Sequence, residues 1–432
     1  MSVRILIGDM RERLKDLPDN SVDSCVCDPP YHLTSIVKRF GKPGSAPINN
    51  RDEREGRNGP YQRTSKGFMG QMWDGGDVAF QPDTWAEVLR VLKPGGHLLA
   101  FSGTRTVHRM VCAIEDAGFE IRDSLAWVYG SGFPKSHDIS KGIDKQAGAE
   151  REVVGPGQWA HVKAGGSKGV CTNFALGNGK PGYDATAPAT DAAREWQGWG
   201  TALKPALEPI CLARKPISEK NIAANVLKWG TGALNIDGCR VEGGTRPALD
   251  ASAKTTPSQF GAMGGSKAVG TTDQGRWPAN LVHDGSDEVL AGFPDGIPPS
   301  ARKARTGNSQ RTHLGTLADN GEPFGFADSG SAARFFYTAK ADQEERHAGL
   351  DGKGNTHPTV KPIDLMRWLC RLVTPKGGTV LDPFSGSGST LIAADAEQFH
   401  AIGCELSPDY AAIAEARIRH AAGMFADVKV AA

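Results

Sequence analysis

Asp28, Pro29, Pro30 and Tyr31 bring together a carboxylate, a carbonyl that no strand neighbour can claim and an aromatic ring. Two hydrogen-bond acceptors beside a flat plate suit an exocyclic amino group on a planar base. The residues before them, Val22-Asp23-Ser24-Cys25-Val26-Cys27, are mostly apolar and β-prone and read as a buried strand. The two prolines end the ladder and keep the backbone extended past the strand's carboxyl end. In an open parallel sheet, that edge is where ligands bind. Near the other end of the chain, Thr379-Val380-Leu381-Asp382-Pro383-Phe384-Ser385-Gly386-Ser387-Gly388-Ser389-Thr390 reads as strand, glycine turn and helix start. The glycines free the turn to let backbone approach a ligand closely.

The elements that must position these groups form two α/β stretches. In the first, Trp85, Val88, Leu89 and Leu92 recur at helical spacing before Lys93-Pro94-Gly95-Gly96, and the strand His97–Phe101 follows. Val107, Met110, Val111 and Ile114 mark a second helix ending at Gly118, and a strand over Leu125–Tyr129 closes this half. In the second, Met366, Leu369, Cys370 and Val373 define a helix after Pro362. It is followed by a strand to Asp382, a helix from Ser389, a strand to Glu405 and a last helix from Pro408. Neither half carries both motifs, so the expectation is one mostly parallel, doubly wound, Rossmann-like α/β sheet built from both.

Composition narrows the class. The chain has 432 residues and a net charge of +1, so affinity for nucleic acid must come from local basic clusters rather than global charge. Eight cysteines include no C-x-x-C pair, and Cys25, Cys112, Cys370 and Cys404 sit in apolar runs. That pattern suits reduced, buried thiols in a cytoplasmic protein rather than a disulfide framework or a metal site. No run of about 18 apolar residues is present to span a membrane.

With these residues in place, the chain resembles the amino-group DNA methyltransferases that use S-adenosylmethionine. The catalytic motif (Asp28 to Tyr31) precedes the cofactor motif (Asp382 to Gly388), which is the permuted order of the β class. The resemblance implies that Asp28 and the Pro29 carbonyl accept the protons of the target amine and Tyr31 stacks on a base flipped out of the duplex. N4-cytosine relatives carry serine where Asp28 stands, which favours N6 of adenine. It implies cofactor contacts from Asp382, Phe384, Ser385, Gly386 and Gly388. Glu405 would accept the ribose hydroxyls, by the logic of dinucleotide sites, and Asp9 would face the cofactor's adenine. Thr359 and Lys361, in His357-Pro358-Thr359-Val360-Lys361-Pro362, would hold its methionine end; His357 is read as structural. A homodimer on a palindromic duplex site would suit this class. Trp368, off the apolar stripe of its helix, either packs locally, the commoner outcome for a single residue, or contacts a second copy.

The expected organisation is a catalytic half over 1–135, an inserted loop-rich target-recognition domain over 136–331, and a cofactor-binding half over 332–432. The insertion is rich in Gly, Pro, Ser, Thr and Asn, and its tryptophans Trp159, Trp196, Trp199, Trp229 and Trp277 argue against a disordered linker. Lys38 and Arg39 in the basic loop 38–72, and Arg302, Lys303, Arg305 and Arg311, are read as phosphate contacts, with ordinary solvated surface as the other reading of each cluster. Four further segments resemble phage-type adenine methyltransferases without an assigned role: Trp127–Lys135, Lys204–Pro209, Asn235–Arg240 and Gly275–Asn280. Trp127 and Tyr129 either line the base pocket or pack the sheet. Two other readings stand beside this one: N4-cytosine transfer, and a silent DNA-binding regulator on the same fold.

Overall fold

A computed structural model describes residues 1–31, 77–132, 136–155, 184–243, 246–249, 268–294, 330–339, 343–350, 354–357, 359–423 and 427–431. The loop 38–72 and the segment holding Arg302, Lys303, Arg305 and Arg311 lie outside the described residues, so the expected phosphate contacts do too. The strands are β1 (Ser2–Ile7), β2 (Val22–Cys27), β3 (Leu92–Phe101), β4 (Glu120–Val128), β5 (Val153–Gly155), β6 (Ala185–Thr186) and β7 (Leu207–Arg214). They continue with β8 (Arg246–Leu249), β9 (Ala268–Thr272), β10 (Leu281–His283), β11 (Tyr337–Thr338), β12 (Thr379–Asp382), β13 (His400–Glu405) and β14 (Asp427–Ala431). The principal helices are α1 (Pro82–Val91), α2 (Val107–Asp116), α3 (Ile139–Ala147), α4 (Ile222–Trp229), α5 (Ile363–Val373), α6 (Ser389–Ala396) and α7 (Pro408–Ala422).

Ten strands form one sheet in the order β11-β10-β4-β7-β3-β2-β12-β13-β1-β14. Every described pairing in it is parallel except the two made by β7, which runs against both β3 and β4. The amino- and carboxy-terminal halves join where β12 pairs with β2, Val380 opposite Ser24 and Leu381 opposite Cys25. Alternation along the strands feeds two cores, one on each face. Leu98 and Ala100 of β3 point to the side holding Trp85, Val88, Met110 and Ile114 of α1 and α2. Leu99 and Phe101 point to the side holding Leu369, Val373, Leu391 and Ala414 of α5, α6 and α7. Helices on both faces of a largely parallel sheet make the doubly wound α/β architecture expected from the sequence. No helix among the described residues is long and apolar enough to cross a membrane.

Two expectations need correction. The stretch 136–331 is not one body: residues 131–206 form a compact unit of their own, whereas 207–432 belong with 1–130. Ile210, Cys211, Leu212 and Ala213 of β7 are buried between β3 and β4, and β10 pairs with β4. These short apolar runs lie inside glycine- and proline-rich sequence, which hides them from any windowed reading. In the smaller unit, Asp144 of α3 is fully buried and accepts from the backbone of Ala189 and Thr190, the Thr190 hydroxyl and Arg151. Burial alone would raise its pKa; these hydrogen bonds outweigh it and hold the carboxyl at about 2. The second correction concerns Trp368, which is 1% exposed. Its ring stacks on Tyr337 with centroids 5.3 Å apart and its Nε1 donates to the Cys239 carbonyl. It fills the core and offers nothing to a second copy.

Candidate active site

Four adjacent parallel strands, in the order β2-β12-β13-β1, each finish at their carboxyl end with an acidic residue: Asp28, Asp382, Glu405 and Asp9. At strand spacings of about 4.8 Å the row extends roughly 14 Å, the scale of an extended nucleoside with a short side chain. Asp382 is 2% exposed and accepts from the Phe384 N–H at 3.0 Å. Glu405, also buried, accepts from the backbone N–H of Gly386 and of Ser407, each at 2.8 Å and each through a different oxygen. The Gly8 N–H donates to the Glu405 carbonyl at 2.9 Å, which ties the end of β1 to the end of β13. Asp9 caps the helical turn that follows, accepting from the Arg11 N–H, and its Oδ2 holds the Arg11 guanidinium at 2.7 Å. The Arg11 hydrogen bond keeps the Asp9 carboxyl below its ordinary range.

The glycine turn between β12 and α6 is held on three sides. Ser385 donates through both its N–H and its hydroxyl to the Cys404 carbonyl. Arg417 of α7 donates from Nη1 to the Ser387 carbonyl at 2.6 Å and to the Ser387 hydroxyl. Gly386 has φ +51°, and a Cβ there would lie 2.8 Å from the Nε2 of His357. The turn therefore needs glycine both for its backbone and for room. Phe384, expected against the cofactor, is half-buried and meets Trp85 edge-on at 6.3 Å.

His357 is the anchor of the segment before α5. Its Nδ1 donates to the Thr359 carbonyl at 2.8 Å, its N–H donates to Asn355, and its ring meets Tyr410 edge-on. Burial, with Lys361, Arg346 and Arg417 nearby, lowers its pKa to about 4, so the ring is neutral at pH 7. This matches the structural reading of His357. The Thr359 side chain is exposed.

Lys361 lies beside the Asp28 motif. Its Nζ is 2.7 Å from Asp28 Oδ2, 3.0 Å from Glu208 Oε2 and 3.1 Å from the Tyr31 hydroxyl. It therefore joins the Asp28 motif. Burial favours its neutral form, but the two carboxylates outweigh that and hold its pKa above the ordinary lysine value. The Tyr31 hydroxyl donates to Glu208 at 3.0 Å, and Thr106 donates to the Tyr31 carbonyl at 3.0 Å. Burial, with Asp28 and Glu208 adjacent, pushes the Tyr31 phenol well up, so it stays protonated. Asp28 Oδ1 is buried and has no hydrogen-bond partner among the described residues.

Glu208 was missed as a site residue because its location depends on topology. It stands near the start of β7, and only an antiparallel strand brings its amino end to the carboxyl edge of its neighbours. In register it faces Trp127 of β4. Trp127 is 8% exposed and its ring lies 5.1 Å from that of Tyr129. Burial, with Glu208 adding to it, raises the Tyr129 phenol to about 12.

Burial, with Asp28 and Glu405 adding their charges, raises the Asp382 carboxyl from 3.8 to about 7. Between those values the folded chain keeps a proton that the unfolded chain has released, so stability falls as pH rises across that window. Asp382→Asn is expected to raise the melting temperature of the ligand-free protein at pH 8, by a gain on the order of 1–4 kcal/mol. The gain should shrink at pH 5. Thermal unfolding at the two pH values checks this, and an equal or lower melting temperature at pH 8 would contradict it.

The DNA methylase family model for N6 and N4 methyltransferases matches residues 302–416. Over 420 residues the chain is 23% identical to Type II methyltransferase M.HindIII of Haemophilus influenzae, covering 91% of this chain and 87% of that one. A 58-residue stretch is 45% identical to Type II methyltransferase M.BglI of Bacillus subtilis, which is 13% of this chain and 17% of that one. Among solved structures, the cytosine-N4-specific PvuII DNA methyltransferase shows 14% identity and a TM-score of 0.42, covering 96% of this chain and 86% of that one. The complex of M1.HpyAVI with S-adenosylmethionine shows 13% identity and a TM-score of 0.37, covering 96% and 98%. The acidic row fits the methyl donor of this family: S-adenosylmethionine carries a sulfonium, an ammonium, two ribose hydroxyls and an aromatic amine, all of which seek anionic or accepting partners. The chain is similar to the N6/N4 DNA methylases, through the family model over residues 302–416 and through M.HindIII over most of its length.

Proposed function

We propose that the protein transfers a methyl group to the N6 amine of an adenine flipped out of duplex DNA. The observation that carries this reading is the buried Oδ1 of Asp28, which has no hydrogen-bond partner among the described residues. A buried carboxylate oxygen without a donor is costly, and a substrate amine would supply one. An adenine amine is a weak nucleophile because its lone pair is delocalised into the ring. Accepting its protons at Asp28 and at the Pro29 carbonyl directs the lone pair out of the ring plane. S-adenosylmethionine supplies a methyl already activated on sulfur, so orientation and local charge do most of the remaining work. Tyr31, fixed by Thr106 through its backbone and by Glu208 through its hydroxyl, offers a held ring for the base to stack on.

The cofactor roles follow the row of strand ends. Glu405 accepts the ribose hydroxyls with the lone pairs its backbone partners leave free. Asp9 stands one strand further, where the adenine of the cofactor would lie. Asp382 and the turn from Phe384 to Gly388 meet the methionine portion. Adenine is favoured over cytosine by the carboxylate at position 28, where N4-cytosine relatives carry serine. A target-recognition role within the stretch 136–331, and a homodimer on a palindromic site, rest on the resemblance of the motifs alone. Single-molecule sequencing of DNA from cells expressing the protein tests the reading. N6-methyladenine in one recurring sequence is the expected result; methylation confined to cytosine, or none, would overturn it.

A further inference from the structure

Beyond holding the Tyr31 hydroxyl, Glu208 completes the charge cluster at Asp28. Its Oε2 lies 3.0 Å from Lys361 Nζ and 3.0 Å from the Tyr31 hydroxyl, while Lys361 is 2.7 Å from Asp28. Two carboxylates share one ammonium, so the three side chains together carry one negative charge. Without Glu208, Lys361 would belong to Asp28 alone and the pair would be neutral. A fully paired Asp28 is a weaker acceptor for an amine and a poorer partner for positive charge.

Methyl transfer creates that positive charge at the target nitrogen. The nitrogen lone pair forms the bond to the methyl carbon, and the carbon–sulfur bond breaks with its electron pair going to sulfur. The nitrogen is cationic until one proton passes to Asp28 Oδ1. An anionic cluster beside the nitrogen stabilises this charge as it develops, whereas a neutral one does not. We propose that Glu208 is a positioning residue that acts through Lys361, drawing the ammonium partly off Asp28 so that the cluster stays anionic during transfer. The inference rests on the reading of Asp28 as the group that accepts from the target amine.

Glu208→Gln tests it, because glutamine keeps the shape and can still accept from Tyr31 while removing the charge. The single-turnover rate should fall roughly 10–100-fold, somewhat less than the loss of a direct transition-state donor. Affinities for S-adenosylmethionine and for DNA should stay within about twofold. Glu208→Asp should recover more of the rate than Glu208→Gln. In the ligand-free protein, the Lys361 side-chain carbon resonance should titrate at lower pH in Glu208→Gln than in the native chain, a readout independent of turnover. A native rate in Glu208→Gln, or an unmoved lysine titration, would overturn the inference. If that happened while Asp28→Ala was inactive, only this inference would fall. An active Asp28→Ala would remove the reading beneath it.

Discussion

Asp28→Ala is expected to abolish methyl transfer, by roughly 10²–10⁴-fold or more, the range for losing a positioned proton-accepting group. S-adenosylmethionine affinity should be nearly unchanged. The division follows from where the two oxygens of Asp28 are committed. Oδ2 is engaged by Lys361 and Oδ1 is buried without a partner among the described residues, whereas Asp382 and Glu405, the carboxylates proposed for the cofactor, take backbone hydrogen bonds of their own. Asp28→Asn would keep the shape but present an amide that both donates and accepts, and should be nearly as inactive. Calorimetry with the cofactor and a filter assay of transfer, on the same preparation, separate the two effects. Loss of cofactor binding in proportion to activity would place Asp28 in the cofactor site instead.

Glu405→Ala should produce the largest loss of cofactor affinity. One accepting carboxylate for two ribose hydroxyls is worth about 1.5–3 kcal/mol per charged hydrogen bond, so binding should weaken at least about tenfold. The structure adds a second reason. Glu405 also accepts from the N–H groups of Gly386 and Ser407, which link the glycine turn and the start of α7 to the end of β13. Alanine leaves both donors unsatisfied and frees the turn that faces the ligand. Glu405→Gln keeps one acceptor and should lie between the two. Unchanged affinity by calorimetry in Glu405→Ala would remove this residue from the site.

The main sheet was legible because its strands and helices carry strong periods. The helix after Pro362, the strands ending at Asp382 and Glu405, and the helix from Pro408 fall within a residue or two of their expected bounds. The motifs at Asp28 and Asp382 were legible because proline pairs and glycine turns leave a local signature. What could not be read is what depends on pairing. That β7 enters the sheet against its neighbours is a tertiary fact, and it alone delivers Glu208 to the active edge. The motif around Lys361 suggested a cofactor contact and gave no sign that its side chain also reaches Asp28, which lies far away in sequence. Trp368 looked misplaced on a helical wheel because the wheel omits Cys239 and Tyr337, which cover that face.

The most direct test is the chemical identity of the product. The purified protein, incubated with S-adenosylmethionine bearing a deuterated methyl group and unmodified duplex DNA, should yield labelled N6-methyldeoxyadenosine on nucleoside mass spectrometry. Asp28→Ala should yield none. Label on N4 of deoxycytidine, or labelled N6-methyldeoxyadenosine formed equally by Asp28→Ala, would contradict the account.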